Sequence, residues 1–170
     1  MIFHRCGIPV YLSGTDDILE KAVVTTILSA MDAAAGDLEQ REVLRYLRSV
    51  LSPLDPDSCD RLENYAIIWG IQGKMWNKAW QFHPDGLEGE WNEDAYARLE
   101  ELNEARSTTI GPLVRLRDGF RKAISLAQQI QALYDFLEDI GLERRLSNLA
   151  DRLEREGDSR TAQELNQLWE

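Results

Sequence analysis

Lys74, Trp76, Lys78 and Trp80 alternate a cation with an indole, a pattern that can hold phosphates on the ammonium groups while bases stack on the rings. Arg115, Arg117, Arg121 and Lys122 form a second group at i, i+2, i+6 and i+7, a basic stripe if the segment is helical. Each group has a plainer reading. Tryptophans in an irregular segment usually anchor it onto a core, and basic residues at such spacings usually form a solvated face. The eight residues are therefore candidates for DNA contact, to be weighed against core and surface roles.

Other chemistries lack their residues. A Walker loop needs glycines that bring backbone N–H groups to the phosphates, then Lys and a hydroxyl for the metal; here Gly73-Lys74 is followed by Met75, and Ile68 stands where the first glycine belongs. Zinc sites need several Cys or His ligands at short spacing, whereas His4 and Cys6 form a lone pair and Cys59 and His83 lie far off. Cys59 reads as a small apolar residue on a helix face. Nucleophilic catalysis has no elbow motif to start from. Carboxylate pairs such as Glu100 and Glu104 arise by chance among 30 acidic residues, and a di-metal helical bundle would want Glu three residues before a histidine, which neither His4 nor His83 has. No catalytic, cofactor-binding or metal-binding residue is assigned.

The elements that position these groups read as helices. Pro9-Val10-Tyr11-Leu12 suggests one short strand with no partner to pair with. Ser13 or Thr15 can then cap a helix with Leu19, Val23, Ile27, Met31 and Ala34 on its apolar face, closed by Gly36. Asp37 with Gln40 resembles a capping box for a second helix bearing Val43, Leu44, Leu47, Val50 and Leu51. A third helix carries Leu62, Tyr65, Ala66 and Trp69, and from Gly70 to Gly89 the period is lost. That aromatic stretch predicts a packed loop with one short helical turn. Asn92 can cap a fourth helix, which Gly111-Pro112 should break or kink before Leu113, Leu116, Phe120 and Ile124 resume the stripe. Leu126, Ile130, Leu133, Leu137 and Ile140 follow, Gly141 suits a left-handed stop, and Leu142, Leu146, Leu149 and Leu153 mark the next helix. A last segment places Ala162, Leu165, Leu168 and Trp169 inward and ends without a cap. The expectation is an all-α, compact multi-helix domain of about seven helices over residues 13–170, preceded by a short extended segment at 1–12 that comes from a neighbouring domain.

Composition sets the outer bounds. The chain has 170 residues, 44% of them hydrophobic and 29% charged, which fits one domain able to bury roughly 70% of its unfolded surface without disulfide or metal. Nineteen Lys+Arg against 30 Asp+Glu give a net charge of −11, so generic charge-driven binding to nucleic acid or an anionic membrane is disfavoured, while a local basic patch stays open. Glu88 to Glu104 is the most acidic stretch and reads as a solvated helix face. No apolar run approaches 18 residues and residues 1–5 lack a signal-peptide layout, which predicts a cytoplasmic protein without a membrane partner.

Longer segments carry a resemblance. Cys6-Gly7-Ile8-Pro9-Val10-Tyr11-Leu12, then Glu42-Val43-Leu44-Arg45-Tyr46-Leu47-Arg48-Ser49 and Leu51-Ser52-Pro53-Leu54, resemble the stretch where UvrD-like superfamily 1 helicases enter their 2B subdomain. Leu62 to Trp76, with Leu133-Tyr134-Asp135-Phe136-Leu137-Glu138, Gly157-Asp158 and Trp169, is similar to the AddB family, the second subunits of bacterial AddAB ATP-dependent helicase/deoxyribonucleases. The resemblance implies an internal piece of a much longer protein, with Met1 an added start, that works with an AddA-type helicase-nuclease subunit on double-strand DNA ends for recombinational repair. It also implies ATP, Mg2+ and an iron–sulfur cluster elsewhere in the parent, none of whose motifs falls here. On this reading the piece is a non-catalytic, helical 2B-like subdomain for DNA and inter-domain contacts, with some apolar faces covered by absent neighbours. The alternative is a free-standing acidic helical module that engages a basic protein through Glu88–Glu104.

Overall fold

Small residues decide how the first helix packs. The computed structural model of the chain describes residues 16–159 and 162, with side chains from residue 23. Helix α1, Asp16–Ala35, buries Thr26, Ser29, Ala30, Ala33 and Ala34, while Val24 and Leu28 stay half exposed. The periodic face expected through Ile27 and Met31 is therefore turned by about one residue; both are only half-buried. Alanine and hydroxyl side chains there let α2, Gln40–Leu47, and the long α4, Glu93–Lys122, lie close against α1.

The α1–α2 turn departs from the capping box expected of Asp37 and Gln40. Asp37 and Leu38 both adopt left-handed backbone, at φ +56° and +62°. The Leu38 amide donates to the Ala33 carbonyl at 2.8 Å, a Schellman stop in which Asp37 holds the position usually given to glycine. Gly36, expected to close the helix in that role, sits one residue early. Glu39 becomes the N-cap of α2 without a side-chain cap bond, and the Gln40 amide instead donates to the Ala66 carbonyl at 2.6 Å. Leu38 is fully buried and its carbonyl accepts from the Gly73 amide at 2.9 Å, which offsets the conformational cost of two left-handed non-glycine residues.

Helix α3, Pro56–Ile68, starts with Pro56 in its first turn and the Asp55 carboxylate accepting from the Ser58 amide at 3.0 Å. A 3-10 turn, Gly73–Asn77, is the short helical turn expected in the aromatic stretch. Asn92 caps α4, its side-chain oxygen accepting from the Ala95 amide at 2.8 Å. Of the break or kink expected at Gly111-Pro112, the break does not occur: α4 runs through it for 30 residues, about 45 Å at the usual rise. Pro112 removes one backbone donor and costs about 3 kcal/mol in a helix interior; burial of Thr109, Ile110, Pro112, Leu113 and Leu116 along the same stretch is the compensating term. Helices α5, Leu126–Asp139, and α6, Leu142–Glu156, follow, divided by Gly141 at φ +63°, as its left-handed stop requires.

Among the described residues there are six α-helices, the 3-10 turn and no strand. The expected strand at residues 9–12 and the residues Leu165, Leu168 and Trp169 of the last segment lie outside the described residues, while Ala162 is buried as expected. Helix α4 is the spine, with α1, α3, the 3-10 turn and α5 against it, and α6 against α5. Helices α4 and α5 meet closely at Gly119, where an added Cβ would come within 2.7 Å of the Ala132 methyl. One face departs from the expected stripe: Ile124, Leu126 and Ile130, expected inward, are 92%, 70% and 59% exposed, and Tyr134 beside them is half exposed. Nothing among the described residues covers this end of α5.

Candidate nucleic-acid interface

The cation–indole segment separates into two layers. Trp76 is fully buried and Trp80 nearly so, their rings tilted at 5.7 Å. Trp80 stacks on Tyr65 at 4.6 Å, its indole N–H donates to the Met75 carbonyl at 3.2 Å, and Asn103 holds its backbone from both sides. Arg106, from α4, donates to the Trp76 carbonyl at 2.8 Å and lies over the Trp80 ring at 5.9 Å. Burial without a carboxylate partner pulls the Arg106 guanidinium below its usual pKa. The Tyr65 phenol, desolvated by burial against a weaker opposing bond to the Phe82 backbone, is pushed up to about 12. Neither indole offers a face to a base. Lys74 and Lys78 are exposed on the outside of this plug and carry its remaining capacity for phosphate.

The arginine stripe is largely neutralised from elsewhere in the chain. Arg115 pairs with Asp139 of α5 at 2.7 Å. Arg117 is buried and held by Asp118 at 2.9 Å and Asp37 at 3.3 Å, and Arg121 reaches the same Asp37 oxygen at 3.1 Å. The left-handed Asp37 thus places its carboxylate between two arginines of α4, tying the strained turn to the spine. Lys122 makes no ion pair with any described residue. The stripe is a structural ion-pair network with one free cation among the described residues, and two of its three carboxylates, Asp37 and Asp139, lie too far along the chain for spacing to reveal them.

The acidic stretch is solvated as expected, with Glu88, Glu90, Glu93, Asp94, Glu100, Glu101 and Glu104 all exposed. Arg98 answers part of that charge through a two-pronged bond to Asp85, each arm 2.8 Å, which holds the Asp85 carboxyl below the usual carboxylate range. The residues described do not fit a metal or cluster. No three His, Cys, Asp or Glu side chains gather in a ligating group among them. Cys59 is buried, its thiol directed at the Leu47 carbonyl at 3.4 Å and its pKa pushed up by burial and by Glu63, the opposite of a thiolate ligand. No helix among them is long and apolar enough to cross a membrane.

Along the sequence the arginines of α6 alternate with Glu143, Asp151 and Glu154 and so look balanced. In three dimensions Arg145, Arg152 and Arg155 share a groove with Asn148, and that spacing of 3, 4 and 3 was the available signal.

These features define an all-helical unit with a buried aromatic plug, an internal ion-pair network and scattered free cations. No protein-family model matches the chain. It is 29% identical over 171 residues to the B-type subunit of the ATP-dependent helicase/deoxyribonuclease of Acetivibrio thermocellus. It is 28% identical over 173 and 175 residues to the equally named proteins of Clostridium acetobutylicum and Ruminiclostridium cellulolyticum. Each similarity covers 99% of this chain, which spans about 15% of the length of these curated relatives.

Proposed function

We propose that this chain is a helical, non-catalytic 2B-like subdomain of an AddB-type protein, where it contacts DNA and neighbouring domains during processing of double-strand DNA ends for recombinational repair. The observation that carries the reading is similarity along 99% of the chain to about 15% of the length of AddB-type ATP-dependent helicase/deoxyribonuclease subunits. The exposed apolar end of α5 agrees with it. Ile124, Leu126, Ile130 and Tyr134 form a patch with nothing described to cover it, as a face made for another domain of a longer polypeptide would. The parent works in bacterial cytoplasm with an AddA-type partner. Its ATP, Mg2+ and iron–sulfur cluster belong, on the resemblance, to other regions of the parent.

The acidic Glu88–Glu104 surface supports a second reading, a free-standing module that engages a basic protein. Sequencing the locus separates the two. A reading frame that continues in register past both ends, with helicase-like sequence before and nuclease-like sequence after, is the expected result. Stop codons bounding these 170 residues would overturn the helicase–nuclease reading. The chain by itself is expected to hydrolyse neither ATP nor DNA.

A further inference from the structure

Helix α6 turns one face toward the loop that follows α2. Arg145, Asn148, Arg152 and Arg155 lie along that face and, with Ser52 opposite, line an open groove of about 240 Å³. The last arginine lies ten positions after the first, a span of about 15 Å along a helix, or about four base-pair rises along the axis of a duplex. No carboxylate of the described residues lines the groove. Arg152 and Arg155 make no ion pair with any described residue; Arg155 donates from Nε to the Asp151 carbonyl at 3.1 Å, and Asp151 and Glu154 line a separate shallow cavity beside it. This is the reverse of the α4 stripe, where carboxylates answer Arg115, Arg117 and Arg121.

Arg145 anchors the floor. Its Nε donates to the Ile140 carbonyl at 2.7 Å and its Nη1 to the Ser52 carbonyl at 3.1 Å. Both partners are neutral, so the positive charge is left whole, and burial lowers its pKa without removing the charge. Two of its five N–H groups are used for positioning, which leaves donors and a fixed charge for an anion. Arg152 and Arg155 stand exposed about two and three turns further on, and Asn148 adds an amide between them and Arg145.

We infer that this groove is a contact site for the sugar–phosphate backbone of nucleic acid. A row of guanidinium groups at two-turn and one-turn spacing can each pair with a phosphate, and no aromatic ring among the described lining residues offers a stacking face to bases. Lys74 and Lys78 are then secondary, and the α4 stripe takes no part. The inference rests on the reading of the chain as a DNA-contacting subdomain and gives that reading an address.

The test is fluorescence anisotropy of a labelled DNA hairpin with a single-stranded tail, titrated with the whole chain at several salt concentrations. Wild type is compared with Arg152→Gln/Arg155→Gln and with Lys74→Gln/Lys78→Gln; far-UV circular dichroism and melting of each variant show that it is folded, and all four side chains are exposed. The arginine pair is expected to weaken binding at least about 10-fold at low salt. It should also flatten the slope of log K against log salt by about 1.4 to 1.8, two phosphates' worth, while the lysine pair changes affinity less than about 3-fold. Wild-type binding that the arginine pair leaves unchanged overturns the groove and spares the DNA reading. Absence of wild-type binding overturns both. Poly-glutamate that displaces the hairpin as well as unlabelled DNA of equal charge would reassign the groove to an acidic protein.

Discussion

Replacing Trp76 by alanine separates a core indole from a base-stacking one. The side chain is fully buried against Trp80. A tryptophan buries about 150–250 Å², or about 4–6 kcal/mol at 25 cal/mol per Å², and large-to-small changes at such sites cost about 3–5 kcal/mol. A central value of about 4 kcal/mol lowers Tm by about 8–16 °C in a chain of this size. Trp76→Phe is a sharper control. The Trp76 indole N–H is buried without a partner, so phenylalanine loses no hydrogen bond and removes an unsatisfied donor, for a cost under about 1.5 kcal/mol. Trp80→Phe, by contrast, gives up the bond to the Met75 carbonyl and is expected to cost about 1 kcal/mol more than its counterpart. Thermal and urea unfolding followed by circular dichroism measure all three, with DNA binding of each folded variant measured well below its Tm. Unchanged stability of Trp76→Ala together with lost DNA binding would refute the buried-plug account.

Three further outcomes follow from the packing. Gly119→Val forces a side chain into the 2.7 Å approach to Ala132 and should cost about 1–3 kcal/mol, with Ala132→Gly restoring part of the loss in a double-mutant cycle; no rescue would mean that α4 and α5 meet elsewhere. Asp37→Asn keeps a residue that tolerates left-handed backbone but removes the carboxylate shared by Arg117 and Arg121, so unfolding should show a loss of about 1–2 kcal/mol, fading little with salt because Arg117 is buried. Asp85 has its folded pKa lowered by Arg98, so its contribution is present above the unfolded carboxylate value and is lost as pH falls through the folded one. Asp85→Asn should therefore reduce stability at neutral pH and flatten its fall below about pH 4, read from urea midpoints across that range; an unchanged profile would remove the Arg98–Asp85 pair from the account.

Local signals were legible wherever the residue that caused a feature lay beside it. Asn92 marks the start of α4 three residues from its partner amide, Gly141 sits where a left-handed stop is required, and the aromatic density of 70–89 marks a packed loop with one short turn. The misses share a different origin. Nothing adjacent to Asp37 shows that it takes a left-handed stop, because the arginines that reward the arrangement lie some 80 residues away. Pro112 reads as a break since the burial that offsets it comes from other helices. The α4 arginines look like a free basic stripe until Asp37 and Asp139 arrive from distant elements, and the α6 arginines look balanced until folding brings Arg145, Arg152 and Arg155 to one groove. Leu126 and Ile130 carry a correct helical period, but period alone does not say whether the partner for that face is present.

Contact, and not catalysis, is the role proposed for this acidic chain. The most direct measurement is equilibrium binding of the wild-type chain to a tailed DNA hairpin at low and moderate salt, with ATP and DNA hydrolysis followed in the same samples. The predicted result is binding that weakens steeply with salt and no turnover of either substrate. Turnover by the chain alone, or binding that salt leaves untouched, would contradict it.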